Sequence, residues 1–147
     1  EDLLDFCRRL IRYRKDHPVF RRRRWFQGVS IHGSDVEDIA WFTLEGERMA
    51  GEDWERGFAK SLGIFLNGET IPNPNPRGEP VQDDHFYIIF NAHHESLDFR
   101  LPSAEWGERW VKELDTAAGW METEEMFGAG DPMTVESRSL VVLRHES

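Results

Sequence analysis

Apolar positions recur at helical spacing in one clear stretch, the first seventeen residues. Leu3, Leu4, Phe6, Cys7, Leu10 and Ile11 form a stripe that Tyr13 and Arg14 continue, which predicts an amphipathic helix. Acids lie at its start, and Arg12, Arg14, Lys15 and His17 lie near its end, matching the helix dipole. Pro18 disfavours helical geometry at His17 and ends it. Val19, Phe20 and Arg21 to Arg24 are expected to form a linker.

Beyond this helix the periodicity shortens to that of strands. Trp25 to Val29 is short and aromatic. Ile39 to Leu44 is β-branched and aromatic, with a turn at Glu45-Gly46. Glu52 or Asp53 can cap one helical turn through Trp54 and Phe58. Leu62 to Leu66 is a compact apolar run that stops at the turn dipeptide Asn67-Gly68. Phe86 to Phe90 is apolar on both faces and is expected to be central, whereas Leu97 to Leu101 alternates strictly, with one face buried and one wet. Trp110-Val111 leads into Leu114, and Ser139 to Arg144 gives a last strand. Between Glu69 and Asp84 lie four of the chain's seven prolines, Pro72, Pro74, Pro76 and Pro80. Proline cannot donate to a β-ladder, so this segment reads as a stiff surface loop. The expected fold class is all-β, an antiparallel β-sandwich preceded by one amphipathic α-helix. The divisions are a helix over residues 1–18, a linker and first strand over 19–37, and the sandwich over 38–147.

Composition narrows this further. A chain of 147 residues suits one compact domain and is too short for a complete (β/α)8 barrel of about 250 residues. Six tryptophans and ten phenylalanines supply enough aromatic surface to offset chain entropy. No run reaches the ~18 apolar residues of a membrane span. The single cysteine, Cys7, excludes an internal disulfide, fits a reducing or cytoplasmic compartment, and reads as a small core residue of the helix. The formal charge of −10 is uneven. Residues 1–24 hold nine basic and four acidic groups, a net of +5, and residues 25–147 carry a net of −15. A nucleic-acid role for Arg21 to Arg24 beside Trp25-Phe26 is disfavoured, because the acidic body repels a phosphate backbone.

Candidate chemistry is sparse. No histidines pair as HxxxH or HExxH, and no cysteines assist them, so no metal or cofactor is expected. His93-His94-Glu95 is weakened by strand geometry, which points neighbouring side chains to opposite faces. No G-x-S-x-G elbow or phosphate loop is present; Gly128-Ala129-Gly130 lacks both the preceding parallel strand and the following helix. Asp83-Asp84 sits where the proline-rich loop meets a strand, a normal place for solvated acids, and no catalytic residue is assigned. Most tryptophans are expected in the core. Trp106, beside Pro102 and Gly107, is expected to be the most exposed and is the candidate carbohydrate contact.

Several segments together resemble the C-terminal end of bacterial glycogen debranching enzymes of the isoamylase type, in glycoside hydrolase family 13 of the α-amylase superfamily. Leu3 to Phe6 through Leu10 to Pro18 is similar to the last helix of that family's catalytic barrel. Asp38 to Phe42 with Gly46 and Met49, then Asp53-Trp54 and Leu62 to Gly68, follow in the family's order. Asp83-Asp84-His85-Phe86 into Phe90-Asn91-Ala92-His93-His94-Glu95 and Phe99 to Pro102 is the most specific stretch. Asp115-Thr116 and Ser139 to Leu143 complete the pattern.

This resemblance implies a non-catalytic C-terminal domain whose parent hydrolyses α-1,6 branch linkages in glycogen or limit dextrin, with retention. The nucleophilic Asp, the acid/base Glu and the third Asp of the family would lie on barrel strands before Glu1, so this chain alone is expected not to catalyse. The helix face of Leu3, Phe6, Leu10 and Ile11 would pack on the parent barrel. In the barrel's absence it is expected to fold back on the sandwich or pair with a second copy. Two other readings are an autonomous carbohydrate-binding module that takes an α-glucan, and a protein-interaction domain.

Overall fold

The structure is a computed structural model and describes residues 2–21, 37–54, 61–69, 71, 74–79 and 81–146. The expected strand Trp25 to Val29, most of the arginine run and Phe58 lie outside the described residues.

Helix α1 spans Leu3–Asp16. Asp2 caps it by accepting the Asp5 backbone N–H at 2.8 Å, and His17 leaves it in extended geometry. Pro18–Arg21 form a 3-10 turn in which Val19 is buried, so this part of the expected linker is anchored. The other elements are β1 (Ile39–Phe42), α2 (Gly51–Trp54), β2 (Ser61–Leu66), β3 (Phe86–Asn91), β4 (Leu97–Arg100), β5 (Arg109–Asp115), β6 (Gly119–Trp120), β7 (Met126–Gly128), β8 (Pro132–Val135) and β9 (Ser139–His145).

Seven strands form an antiparallel sheet in the order β1-β2-β3-β9-β5-β6, with β7 also on β5. The second layer of the sandwich is the β4-β8 pair, extended by backbone hydrogen bonds from Arg100 to Leu44 and from Leu101 to Asp131. Central β3 lies between β2 and β9, as its two apolar faces require. Its Tyr87 and Ile89 point inward with Ala40, Phe42, Phe65, Val141, Leu143 and Trp110, against Phe99, Leu101, Met133 and Val135 of the second layer. Phe86 and Ile88 point outward, joining Leu66, Val142, Leu114 and Trp120.

One irregularity sets which face each half of β5 serves. The pairing with β9 shifts between Lys112 and Leu114, leaving Glu113 as an extra residue. Trp110 therefore faces the inner core while Leu114 joins the outer cluster. Without the bulge these two side chains, four positions apart, would share a face.

The helix covers the outer face, but not through its whole apolar stripe. Phe6 and Tyr13 pack on the outer cluster, with Tyr13 5.2 Å and Phe6 6.1 Å from Trp120 between ring centroids. Leu3, Leu4, Leu10 and Ile11 remain exposed. The helix folds back on the sandwich as expected, but of the face named for it only Phe6 meets the sheet, together with Tyr13 at the edge of the stripe that carries the aromatic rings. Cys7, expected in the core, is exposed for the same reason.

Gly63 is required by a close approach, since a Cβ there would run into the Tyr87 hydroxyl oxygen. That hydroxyl is buried with no hydrogen-bond partner among the described residues, and burial raises its pKa above the ordinary tyrosine range. Tyr87→Phe is therefore expected to leave stability unchanged or raise it by about 1 kcal/mol. Gly63→Ala is expected to lose ~1–3 kcal/mol through overpacking. Urea denaturation reads both, and a marked loss in Tyr87→Phe would reveal a partner for the hydroxyl.

Candidate functional site

Polar chemistry concentrates in two places. The first lies where the helix meets the strand entering the sheet. Loop residue Asp83, brought there by its backbone N–H bonding to the Gly68 carbonyl at 2.9 Å, accepts from three donors. These are His17 Nδ1 at 2.9 Å, Asp84 N–H at 2.8 Å and Val19 N–H at 3.3 Å. Asp84 in turn lies 3.5 Å from the Arg144 guanidinium, which also donates to Glu113. Burial works against the Arg144 charge, but Glu113 and Asp84 outweigh it and its pKa is raised. The Tyr13 hydroxyl is buried nearby with no hydrogen-bond partner among the described residues; burial first, then the Glu113 charge, raises its pKa.

The expectation that Asp83-Asp84 is a solvated pair is corrected for Asp83, whose side chain is 7% exposed. Its oxygens are occupied in holding the helix exit to the sheet, and Asp84 answers Arg144. A glycosidase pair needs one carboxyl free to donate a proton and another free to attack or to activate water. Asp83 and Asp84 are committed to structural partners instead.

The second place is a cavity of about 310 Å³ at the end of the sandwich where β3 begins and β9 ends. His85 and His145 lie 5.6 Å apart on its wall. His85 Nδ1 accepts the Gly68 N–H at 3.0 Å, which places the proton of the neutral ring on Nε2. Burial lowers the His85 pKa, reinforced by His145 and opposed by Glu69, Asp84 and Asp83.

The remaining sequence candidates fall elsewhere. Trp106, expected to be exposed, is 8% exposed. The turn in which its N–H bonds to the Ser103 carbonyl folds the ring inward, edge-on to Phe42 and Phe65, with Arg48 over it. It offers no open platform, although Trp106 is among the residues that line the cavity. His93 and His94 sit in a bend rather than a strand, so their rings stack with centroids 4.3 Å apart instead of pointing to opposite faces. With Glu95 they bring three donor atoms within 4.8 Å, as do His17, Asp83 and Asp84. In both groups the donors have other work: His93 Nδ1 accepts the Glu95 N–H, and Asp83 and Asp84 are bound as described.

Sequence reasoning missed Asn91. Buried, its side-chain amide donates to the carbonyls of Glu95, Val135 and Glu136 and its oxygen accepts the His93 N–H. It therefore ties the histidine bend to the end of β8. Its place within Phe90 to Glu95 was the available signal.

A family model described as isoamylase, C-terminal, matches residues 38–144. A glycogen operon protein GlgX homolog of Mycobacterium tuberculosis (strain ATCC 25618 / H37Rv) is 46% identical over 144 residues, covering 97% of this chain and 20% of that protein. An isoamylase of a Flavobacterium species is 24% identical, covering 94% of this chain and 18% of that one. Among solved structures, pullulanase type I from Bacillus subtilis str. 168 complexed with maltose shares the fold at a TM-score of 0.61 and 18% identity, over 98% of this chain and 15% of that chain. The chain spans about a fifth of the length of the first of these relatives.

The lowered His85 pKa gives a signed expectation. A histidine whose folded pKa lies below its unfolded value of about 6.5 favours folding fully above that value, and this advantage falls as pH drops toward the folded pKa. His85→Asn is expected to flatten the decline in melting temperature between pH 7.5 and 5.5. An unchanged slope would show that other groups carry it.

Proposed function

Because this chain belongs to the isoamylase C-terminal family, we propose that it is the non-catalytic C-terminal domain of a glycogen debranching hydrolase. The family match over residues 38–144 carries this reading. The whole protein would cleave α-1,6-glucosidic linkages in glycogen or limit dextrin, with its catalytic carboxylates on a preceding barrel. The domain's part is structural: it presents an apolar surface that the catalytic portion covers. No helix among the described residues is long and apolar enough to cross a membrane, and action on glycogen supports a cytoplasmic setting.

That surface is what the sandwich leaves uncovered. On α1 it comprises Leu3, Leu4, Leu10 and Ile11. On the outer sheet face Phe90 is exposed, next to half-buried Ile88 and Leu140. Covering an apolar side chain of this size contributes ~1.5–3 kcal/mol. Such a gain holds a domain in place with no group entering the chemistry.

Two measurements test this. The 147-residue chain is expected to release no linear oligosaccharide from glycogen limit dextrin, and reproducible release would sink the reading. Leu10→Glu with Ile11→Glu is expected to change the isolated chain's stability by about 0.5 kcal/mol or less per site. In the whole protein the same pair should lower the melting temperature by several degrees. Equal effects in both would place the contact elsewhere.

A further inference from the structure

The outer face of the sheet stays open around Phe90. Leu62 of β2, Phe90 of β3 and Leu140 of β9 are directly opposed across the sheet, so their side chains form one row on the outer side. Ile64 and Ile88 form the next row, with Val142 buried beside them. A groove of about 410 Å³ adjoins Phe90 and Leu140 and takes in Thr116 and Arg138. Its other polar side chains are bonded within the chain. Asn91 donates to the Val135 carbonyl, Ser139 Oγ donates to the Ser137 carbonyl, and Thr116 Oγ1 accepts the Leu140 N–H. The Arg138 guanidinium has no hydrogen bond or ion pair among the described residues. Arg138 also holds φ at +50°, in the left-handed region that glycine or asparagine enters at lower cost. Only its backbone N–H is engaged, on the His93 carbonyl at 3.1 Å, a contact that any residue but proline would make. Within the fold the guanidinium does nothing to offset that conformation.

The chemistry of this patch constrains what covers it. A sheet face, unlike a sheet edge, offers no backbone groups for pairing, so its cover must satisfy its own backbone internally, as a helix does. Helix α1 already covers the other end of the same face in this way. Three strands at ~4.8 Å spacing span ~10 Å, about the width of one further helix. Covering Phe90 and Leu140 also strips water from Arg138, which lines the same groove. A cation buried without a partner is costly, so the cover must bring a carboxylate to it. The bidentate fork of the guanidinium makes such a pair directional, which apolar contact alone is not.

We propose that an amphipathic helix of the catalytic portion lies across Leu62, Phe90 and Leu140 and sets an Asp or Glu side chain against Arg138, fixing the register between the two parts. The choice of occupant rests on the proposed function, whereas the demand for an apolar face with a carboxylate rests on the patch itself. The test uses the whole protein. Arg138→Lys keeps the charge and supplies an amine, which a carbodiimide joins directly to a carboxylate in contact with it. Peptide mass spectrometry is expected to show position 138 joined to an Asp or Glu on a helix of the catalytic portion. Arg138→Gly removes the guanidinium and relieves the backbone, so a purely local role predicts an equal or higher melting temperature. The proposed contact predicts a fall of several degrees instead. Links confined to residues 1–147, links between two copies, no link at position 138, or a melting temperature that holds or rises in Arg138→Gly would each overturn the proposal. Debranching by a whole protein that shows no such link defeats this contact alone. A link to the preceding portion of a protein that releases nothing from limit dextrin supports the contact and defeats the functional reading instead.

Discussion

A sheet whose central strands carry apolar side chains on both faces cannot leave either face in water, and much of this molecule follows from that requirement. Tyr87, Ile89, Val141 and Leu143 need a cover on one side, and Phe86, Ile88 and Val142 need one on the other. The two-stranded β4-β8 layer is enough for the inner face because Trp106 and Trp110 fill the space that a two-stranded layer leaves. On the outer face the helix and the 3-10 turn cover one end, through Phe6, Tyr13, Val19 and Phe20. The other end stays bare at Phe90.

Electrostatics then fixes where the helix sits. Apolar contact alone is non-directional and would allow α1 to slide along the sheet. Asp83 removes that freedom, since His17 and the Val19 N–H both converge on one carboxylate just before central strand β3. Arg144, between Asp84 and Glu113, extends the same polar seam across β9 to the bulged strand. The acidic body and the basic lead seen in the composition meet here through few of their charges; of the helix arginines, Arg9 lies over the Trp120 ring at 5.0 Å and Arg8 faces Asp5 of the helix itself. The charge division described two surfaces and not two halves of an interface.

Local pattern made much of the sandwich legible. Strict alternation placed Phe99 and Leu101 inward and Asp98 and Arg100 outward, and double-faced apolarity placed β3 in the centre. Asn67-Gly68 stops β2 through an Asx bond from the Glu69 N–H. Other features were hidden because their causes are distant in sequence. Helical periodicity defined a stripe but not which edge of it meets the sheet, so Phe6 was legible and Cys7 was not. Neighbouring Pro102 and Gly107 suggested an exposed Trp106, yet a turn three residues long carries the ring inward. Asp83 owes its burial to His17, 66 positions away. Strands β7 and β8 are short, and although Met133 and Val135 alternate with exposed neighbours, four residues opening on Pro132 give too little pattern to mark a strand. The cavity is assembled from three separated segments, and only His85 stood in a motif that invited attention.

The bulge at Glu113 has a consequence for how this family can change over time. Because the strand serves opposite faces on either side of that residue, its two halves are read in different phases. A lineage that loses or gains one residue between Lys112 and Leu114 must exchange hydrophobic and polar positions along one whole half of β5 in the same step. It must also find Arg144 a new neighbour. Substitutions in this strand can accumulate singly, but a change in its length cannot, so the spacing from Trp110 to Leu114 should drift more slowly than the residues that occupy it.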